Sequence, residues 1–180
     1  MGNKNYLIEG VSGTGKTSVA EELQRRGYHV LHGDRELSLR GDPLTGQPLD
    51  GPVPETLRED PTWVHEHHIW DEDKVRALAV DRRHPISFFC GGARNVPRFV
   101  ELFDEVFVLE IDRDTLNRRL DARPEGEFGG LPNERALLLR LHETKADMPR
   151  NGVTIDATAP LDRVVDAILA RCGVAGLAAR

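Results

Sequence analysis

The chain carries only two cysteines in 180 residues, Cys90 and Cys172. They form no C-x-x-C pair, so neither a disulfide framework nor a thiolate metal site is indicated, and a reducing compartment is expected. No apolar run approaches the roughly 18 residues of a membrane span. The first residues lack the basic stretch and long apolar core of a secretion signal, which points to a cytoplasmic location. A block of basic residues is also missing: 24 Lys and Arg face 30 Asp and Glu, for a formal net charge of −6. Nucleic-acid binding driven by phosphate neutralisation needs the opposite balance. Membranes and nucleic acids therefore drop out as partners, and a small molecule is expected, with the chain a monomer or homodimer.

Hydrophobic residues make up 39% and charged residues 30% of the chain, enough for one core over residues 1–180. Short apolar runs alternate with helical patterns. Strands are predicted near residues 6–9, 28–32, 86–90, 105–111 and 153–155. Helices are predicted at 15–26, from Asp71 to near Arg83, at 96–103, from Asp112 towards Pro124, from Asn133 to Met148, and from Pro160. A short helix is expected from Gly33 to Leu39, and a helical turn or two over 62–70. Between them, residues 40–62 are broken by Gly41, Pro43, Gly46, Pro48, Gly51, Pro52, Pro54 and Pro61. Strand–helix alternation of this kind makes a doubly wound α/β domain with a parallel sheet.

The most informative stretch is Gly10-Val11-Ser12-Gly13-Thr14-Gly15-Lys16-Thr17, which follows the apolar run Tyr6-Leu7-Ile8 and opens a helix. This is G-x-x-x-x-G-K-[ST] in its strand–loop–helix setting. Its backbone N–H groups cradle an anion, and the helix N-terminus adds partial positive charge. Gly10, Ser12, Gly13, Thr14, Gly15, Lys16, Thr17 and Ser18 are therefore expected to bind a nucleoside triphosphate. Lys16 would reach the β- and γ-phosphates, and the Thr17 hydroxyl would hold Mg²⁺.

With that loop in place, the chain resembles P-loop small-molecule kinases, most of all the adenylate-kinase and nucleoside–nucleotide kinase group. The second carrier of the resemblance is Thr115-Leu116-Asn117-Arg118-Arg119-Leu120-Asp121-Ala122-Arg123, similar to the group's arginine pair leading into the lid. The resemblance implies the P-loop NTPase three-layer fold: a five-stranded parallel sheet of order 2-3-1-4-5 with helices on both faces and a short lid at about 123–133. It also implies ATP and Mg²⁺ as cofactors, Arg119 near the nucleotide base and Arg123 on its phosphates. The turn at Asp156-Ala157-Thr158 would lay Ala157 and Thr158 on adenine. Where the group has an acidic residue followed by Gly-x-Pro-Arg, this chain reads Cys90-Gly91-Gly92-Ala93-Arg94, so Arg94 matches and Cys90 replaces the acid.

What receives the phosphate is less legible. The acceptor segment is expected at about 34–70. Asp34, at the end of the second strand, is the candidate base or orienting carboxylate and a water-mediated Mg²⁺ ligand; a plain helix cap is its structural alternative. Arg35 and Arg94 are expected on the acceptor. Trp63, His67 and Trp70 form a possible stacking face that would suit a nucleoside, with plain packing the alternative. His65, Glu66, His67 and His68 lack the spacing of a metal site. The lid carries Glu125, Glu127 and Phe128, and its glycines would let it close and exclude water. The expected catalytic set is Lys16, Asp34, Arg119 and Arg123. The expected activity is ATP-dependent phosphorylation of a nucleoside or nucleotide; another hydroxyl compound, or a regulatory switch with no small acceptor, remain alternatives.

Overall fold

The computed structural model describes residues 3–174. The central strand is β1 (Lys4–Glu9), flanked by β5 (Ile86–Cys90) and β6 (Glu105–Glu110), with β2 (His29–His32) and β7 (Val153–Asp156) outermost. All pairings in this five-stranded sheet are parallel, in the order β2-β5-β1-β6-β7. Counting only these five strands, that is the expected 2-3-1-4-5.

Alternation along the strands builds a core on each face. Tyr6, Ile8, Phe88 and Phe107 meet α1 (Lys16–Arg25), α6 (Arg113–Asp121), α7 (Pro132–Thr144) and α8 (Leu161–Arg171). Leu7, Leu31 and Phe89 point the other way, onto Trp70, Phe99 and Val75 of α5 (Glu72–Ala79). Cys90 closes β5 inside the first core, and burial pushes its thiol far above the ordinary range, so it packs as a small apolar group. Asp71 and Asp112 cap α5 and α6 as expected, accepting from Lys74 N–H at 3.1 Å and Thr115 N–H at 2.7 Å.

Several local expectations are corrected. The helix at Gly33 stops at Glu36 (α2), because Ser38–Arg40 (β3) turns into a strand. Its antiparallel partner is β4, His68–Trp70, in the segment expected to be helical; only Pro61–Glu66 (α4) coils there. The excursion hangs from this ribbon, contains α3 (Glu55–Arg58), and is tied back by Gly41 N–H to His67 O at 3.0 Å. Residues 96–102 form two short 3₁₀ turns instead of an α-helix, with Pro97 removing one N–H donor. Asn133 is not the N-cap of α7, which is Leu131; Glu134 Oε2 reaches back to accept from Gly129 N–H at 2.8 Å and Leu131 N–H at 3.2 Å, while Asn133 Oδ1 accepts from Glu134 N–H at 3.0 Å inside the first turn. That helix ends at Thr144 rather than Met148, at a left-handed Lys145 (φ 50°).

Candidate active site

The loop at 10–17 leaves the carboxyl end of β1, where the connections after β2, β5 and β7 also open. Gly10 shows why this stretch needs glycine: a Cβ there would stand 2.6 Å from Thr14 Oγ1 and 2.8 Å from Leu109 O. Thr14 N–H closes the turn onto Val11 O at 3.1 Å, and helix α1 makes its first bond from Val19 N–H to Gly15 O at 3.0 Å. The amides ahead of that bond lack intrahelical partners and form an anion-binding N-terminus. Lys16 Nζ lies over the loop, donating to Gly10 O at 2.5 Å. Burial lowers its pKa, opposed by the nearby carboxylates of Asp34 and Glu9.

Two arginines hold the loop from α6 and the chain that follows it. Arg119 Nη1 donates to Gly13 O (3.1 Å) and Thr14 O (2.8 Å), and its Nη2 to Ala157 O (2.9 Å). It therefore ties the loop to the turn after β7. Arg123 Nη1 donates to Ser12 Oγ at 3.0 Å and to Phe128 O. The segment 123–133 is thereby drawn down over the loop.

Two cavities adjoin along this edge. The outer one, about 800 Å³, is lined by Ser12 through Val19 and by Arg35, Arg119, Arg123 and Ala157. The inner one, about 280 Å³, is lined by the polar side chains of Glu9, Arg40, His65, His68, Arg94 and Asp147. Val64, Phe128, Leu138, Leu141 and Met148 add apolar surface to the same lining. Ser12, Lys16 and Asp34 line both cavities.

Asp34 sits at the N-terminal end of α2, its side chain still 58% exposed. Burial of its surroundings raises its pKa. That effect is outweighed by His68, whose Nε2 lies 3.4 Å from Oδ1, by Lys16, and by the N–H of Gly92. The net shift is downward, so the carboxylate is ionised at neutral pH. Opposite it, Arg94 Nη1 donates to Asp147 Oδ1 at 2.8 Å, and Asp147 Oδ2 accepts from His65 Nε2 at 2.5 Å. Burial pushes Asp147 up, but His65 and Arg94 win and hold it below its ordinary value.

The structure brings Lys16, Thr17, Asp34, Arg35, Arg94, Arg119, Arg123 and Ala157 to the two cavities. Thr158 lines neither cavity and is bonded to Asp156 Oδ1 at 2.9 Å through its N–H. The stacking face does not form. Trp70 is fully buried against Phe99, and Trp63 and His67 stack on each other at 4.2 Å and line neither cavity. Trp70 is drawn inward because β4 is pinned to the loop after β5: Asn95 Oδ1 accepts from Trp70 N–H (2.9 Å) and Asn95 Nδ2 donates to Trp70 O (2.8 Å). The same turn puts His65 and His68, rather than His67, in the inner cavity. Among the described residues no group of three or more His, Cys, Asp or Glu converges on a metal site.

Glu9, Arg40 and Asp147 were not foreseen. Glu9 had a signal, a lone acid ending an apolar strand directly before the loop's first glycine. Asp147 had none, since only the path of the chain after α7 brings it to Arg94.

No protein-family profile matches the sequence, and no curated protein matches it. Solved structures do. A sugar kinase from Janibacter sp. HTCC2649 is 18% identical over 99% of each chain, with a TM-score of 0.54. A gluconokinase from Sinorhizobium meliloti 1021 is 23% identical over 97% of this chain and 93% of that one (TM-score 0.53). A shikimate kinase from Bacteroides thetaiotaomicron is 14% identical over 94% and 98% (TM-score 0.57). The chain thus has the fold of P-loop small-molecule kinases. At these identities the likeness is one of fold.

Proposed function

We propose that this chain is an ATP-dependent phosphotransferase acting on a hydroxyl-bearing small molecule. The observation that carries the proposal is the shared wall of the two cavities: Ser12, Lys16 and Asp34 border both. Phosphoryl transfer asks a protein mainly to hold donor and acceptor in line and to neutralise charge, and two adjoining cavities with a lysine and a carboxylate at the junction are built for that.

The outer cavity takes the nucleotide. The loop amides and Lys16 hold the β- and γ-phosphates, with Arg123 beside Ser12 on the phosphate side. Arg119 braces the loop against Ala157, where the base would lie. Mg²⁺ would be held by Thr17 and, through water, by Asp34, and would supply positive charge to the phosphate oxygens. The inner cavity takes the acceptor. Its hydroxyl oxygen attacks the γ-phosphorus, the bond from that phosphorus to the β–γ bridging oxygen breaks, and ADP leaves. Asp34, ionised at neutral pH, orients the hydroxyl and takes its proton. Segment 123–133 acts as a lid; Arg123 and Phe128 link its position to both cavities. Closure keeps water from competing with the acceptor.

A nucleoside acceptor remains a reading to test, since a deoxyadenosine kinase from M. mycoides, solved with bound dATP, shares the fold at 14% identity and a TM-score of 0.54. The indole argument for it is gone, because Trp70 is buried. Incubation with ATP and a panel of nucleosides, nucleotides, sugars and cyclitols, read by product mass, tests the proposal. A phosphorylated product that Lys16→Ala fails to make supports it. ATP turnover indifferent to every small molecule but altered by a protein partner would favour a regulatory switch.

A further inference from the structure

Glu9 is the last residue of β1 and forms part of the inner cavity's wall, with a side chain only 2% exposed. Its Oε1 faces Arg94 Nη2 at 3.8 Å, beyond hydrogen-bond range. Its Oε2 is buried with no partner at all. Arg94 is turned towards Asp147, at 2.8 Å, so it does not satisfy Glu9. Burial pushes the Glu9 carboxyl up to about 7 against the pull of Arg94 and Lys16. A buried polar atom left unpaired costs about 1–3 kcal/mol, more if charged, and such atoms are rare enough to call for a reason.

We infer that the Glu9 carboxyl, which lacks a partner within the chain, pairs with a second hydroxyl of the acceptor, and that the acceptor is a neutral, non-aromatic polyol such as a sugar or cyclitol ring. The inference deepens the phosphotransferase function proposed above and rests on it. Three features narrow the class. With Glu9 ionised, the charged side chains of the cavity balance: Glu9, Asp34 and Asp147 against Lys16, Arg40 and Arg94. An anionic ligand would meet Glu9 and Asp34, and a cationic one Lys16 and Arg94; a neutral ligand meets neither penalty. Next, the lining mixes apolar side chains with hydrogen-bonding ones, which suits a ring that carries both C–H surface and hydroxyls. Finally, a hydroxyl both donates and accepts, so it satisfies the Glu9 carboxyl in either protonation state.

Glu9 and Asp34 then have separate tasks. Asp34 borders the nucleotide cavity and serves the attacked hydroxyl; Glu9 lines the inner cavity alone and reads a neighbouring one. Glu9 is thus a substrate-binding residue that sets which hydroxyl is presented.

The experiment crosses enzyme variants with substrate variants. Neutral polyols, nucleosides and anionic hydroxyl compounds are screened with ATP, the best is compared with its monodeoxy analogues, and each is run on the parent, Glu9→Ala, Glu9→Gln and Lys16→Ala. The expected result is phosphorylation of a neutral polyol, with one deoxy analogue losing at least about tenfold in kcat/KM on the parent but not on Glu9→Ala. Glu9→Gln, which keeps a hydrogen-bonding group, should retain part of the discrimination and flatten the pH profile of KM near 7. If Glu9→Ala loses equally on every analogue, the residue is structural and the inference fails. If only nucleosides or anionic compounds are phosphorylated, the polyol class is wrong while the kinase survives. If no acceptor stimulates ATP turnover, or Lys16→Ala matches the parent, the function proposed above fails with it.

Discussion

His68 Nε2 stands 3.4 Å from Asp34 Oδ1, joining strand β4 to the junction of the two cavities. The pair holds the carboxylate where it borders both donor and acceptor. Replacing Asp34 by Asn keeps the shape and removes the charge and the proton acceptor. Asp34→Asn should lower kcat by about 100-fold or more, with ATP-analogue affinity by calorimetry changed little. An unchanged kcat would remove Asp34 from the chemistry.

Lys16 is the only cation the loop itself supplies, and its Nζ lies within 2.5 Å of Gly10 O. Lys16→Ala should abolish acceptor phosphorylation with the fold intact, checked by product mass alongside a thermal melt. Removing a half-buried ammonium whose pKa desolvation already depresses should leave stability nearly unchanged.

Arg119 bonds to three backbone carbonyls, of Gly13, Thr14 and Ala157. Arg119→Lys keeps the charge but loses the planar fork that spans them. The expected outcome is a rise in KM for ATP of about tenfold, larger than any change in KM for the acceptor, measured by varying each substrate at saturation of the other.

Gly33 lies under Trp70 so closely that a Cβ would stand 2.0 Å from Trp70 Cζ2. Gly33→Ala must push the indole out of its slot or shift α2. A loss of about 2–3 kcal/mol in urea unfolding is expected from such overpacking, together with reduced turnover, since Asp34 follows Gly33 directly.

Glu9 predicts a stability profile. Its folded pKa, about 7, lies above the ordinary glutamate value of 4.5, so between these the folded state binds more protons than the unfolded one. Stability therefore falls as pH rises through that window. Glu9→Gln should unfold much like the parent near pH 4 and be more stable at pH 8, by up to about 3 kcal/mol. Parallel denaturation curves at the two pH values decide it.

Much of the donor side was legible because it is local. The loop at 10–17 writes its geometry in consecutive residues, and Arg119 and Arg123 follow one another on a single turn of chain. The acceptor side was not. Whether 62–70 coils or extends depends on its pairing with Ser38–Arg40 and on Asn95 gripping the Trp70 backbone, contacts between distant segments. Helical spacing therefore put the indoles on a site face, and β4 sent Trp70 into the core instead.

By itself, the sequence determined the phosphate loop, the alternation of strands and helices, and the position of Asp34 at a strand end, because each depends on neighbours along the chain. The tertiary structure alone decided the inner cavity. Its walls come from β1, α4, β4, the loop after β5, α7 and the turn beyond it, and only their packing brings Glu9, His65, Arg94 and Asp147 together. Burial then altered what those groups can do, lifting Glu9 towards neutrality while His68 and Lys16 kept Asp34 charged.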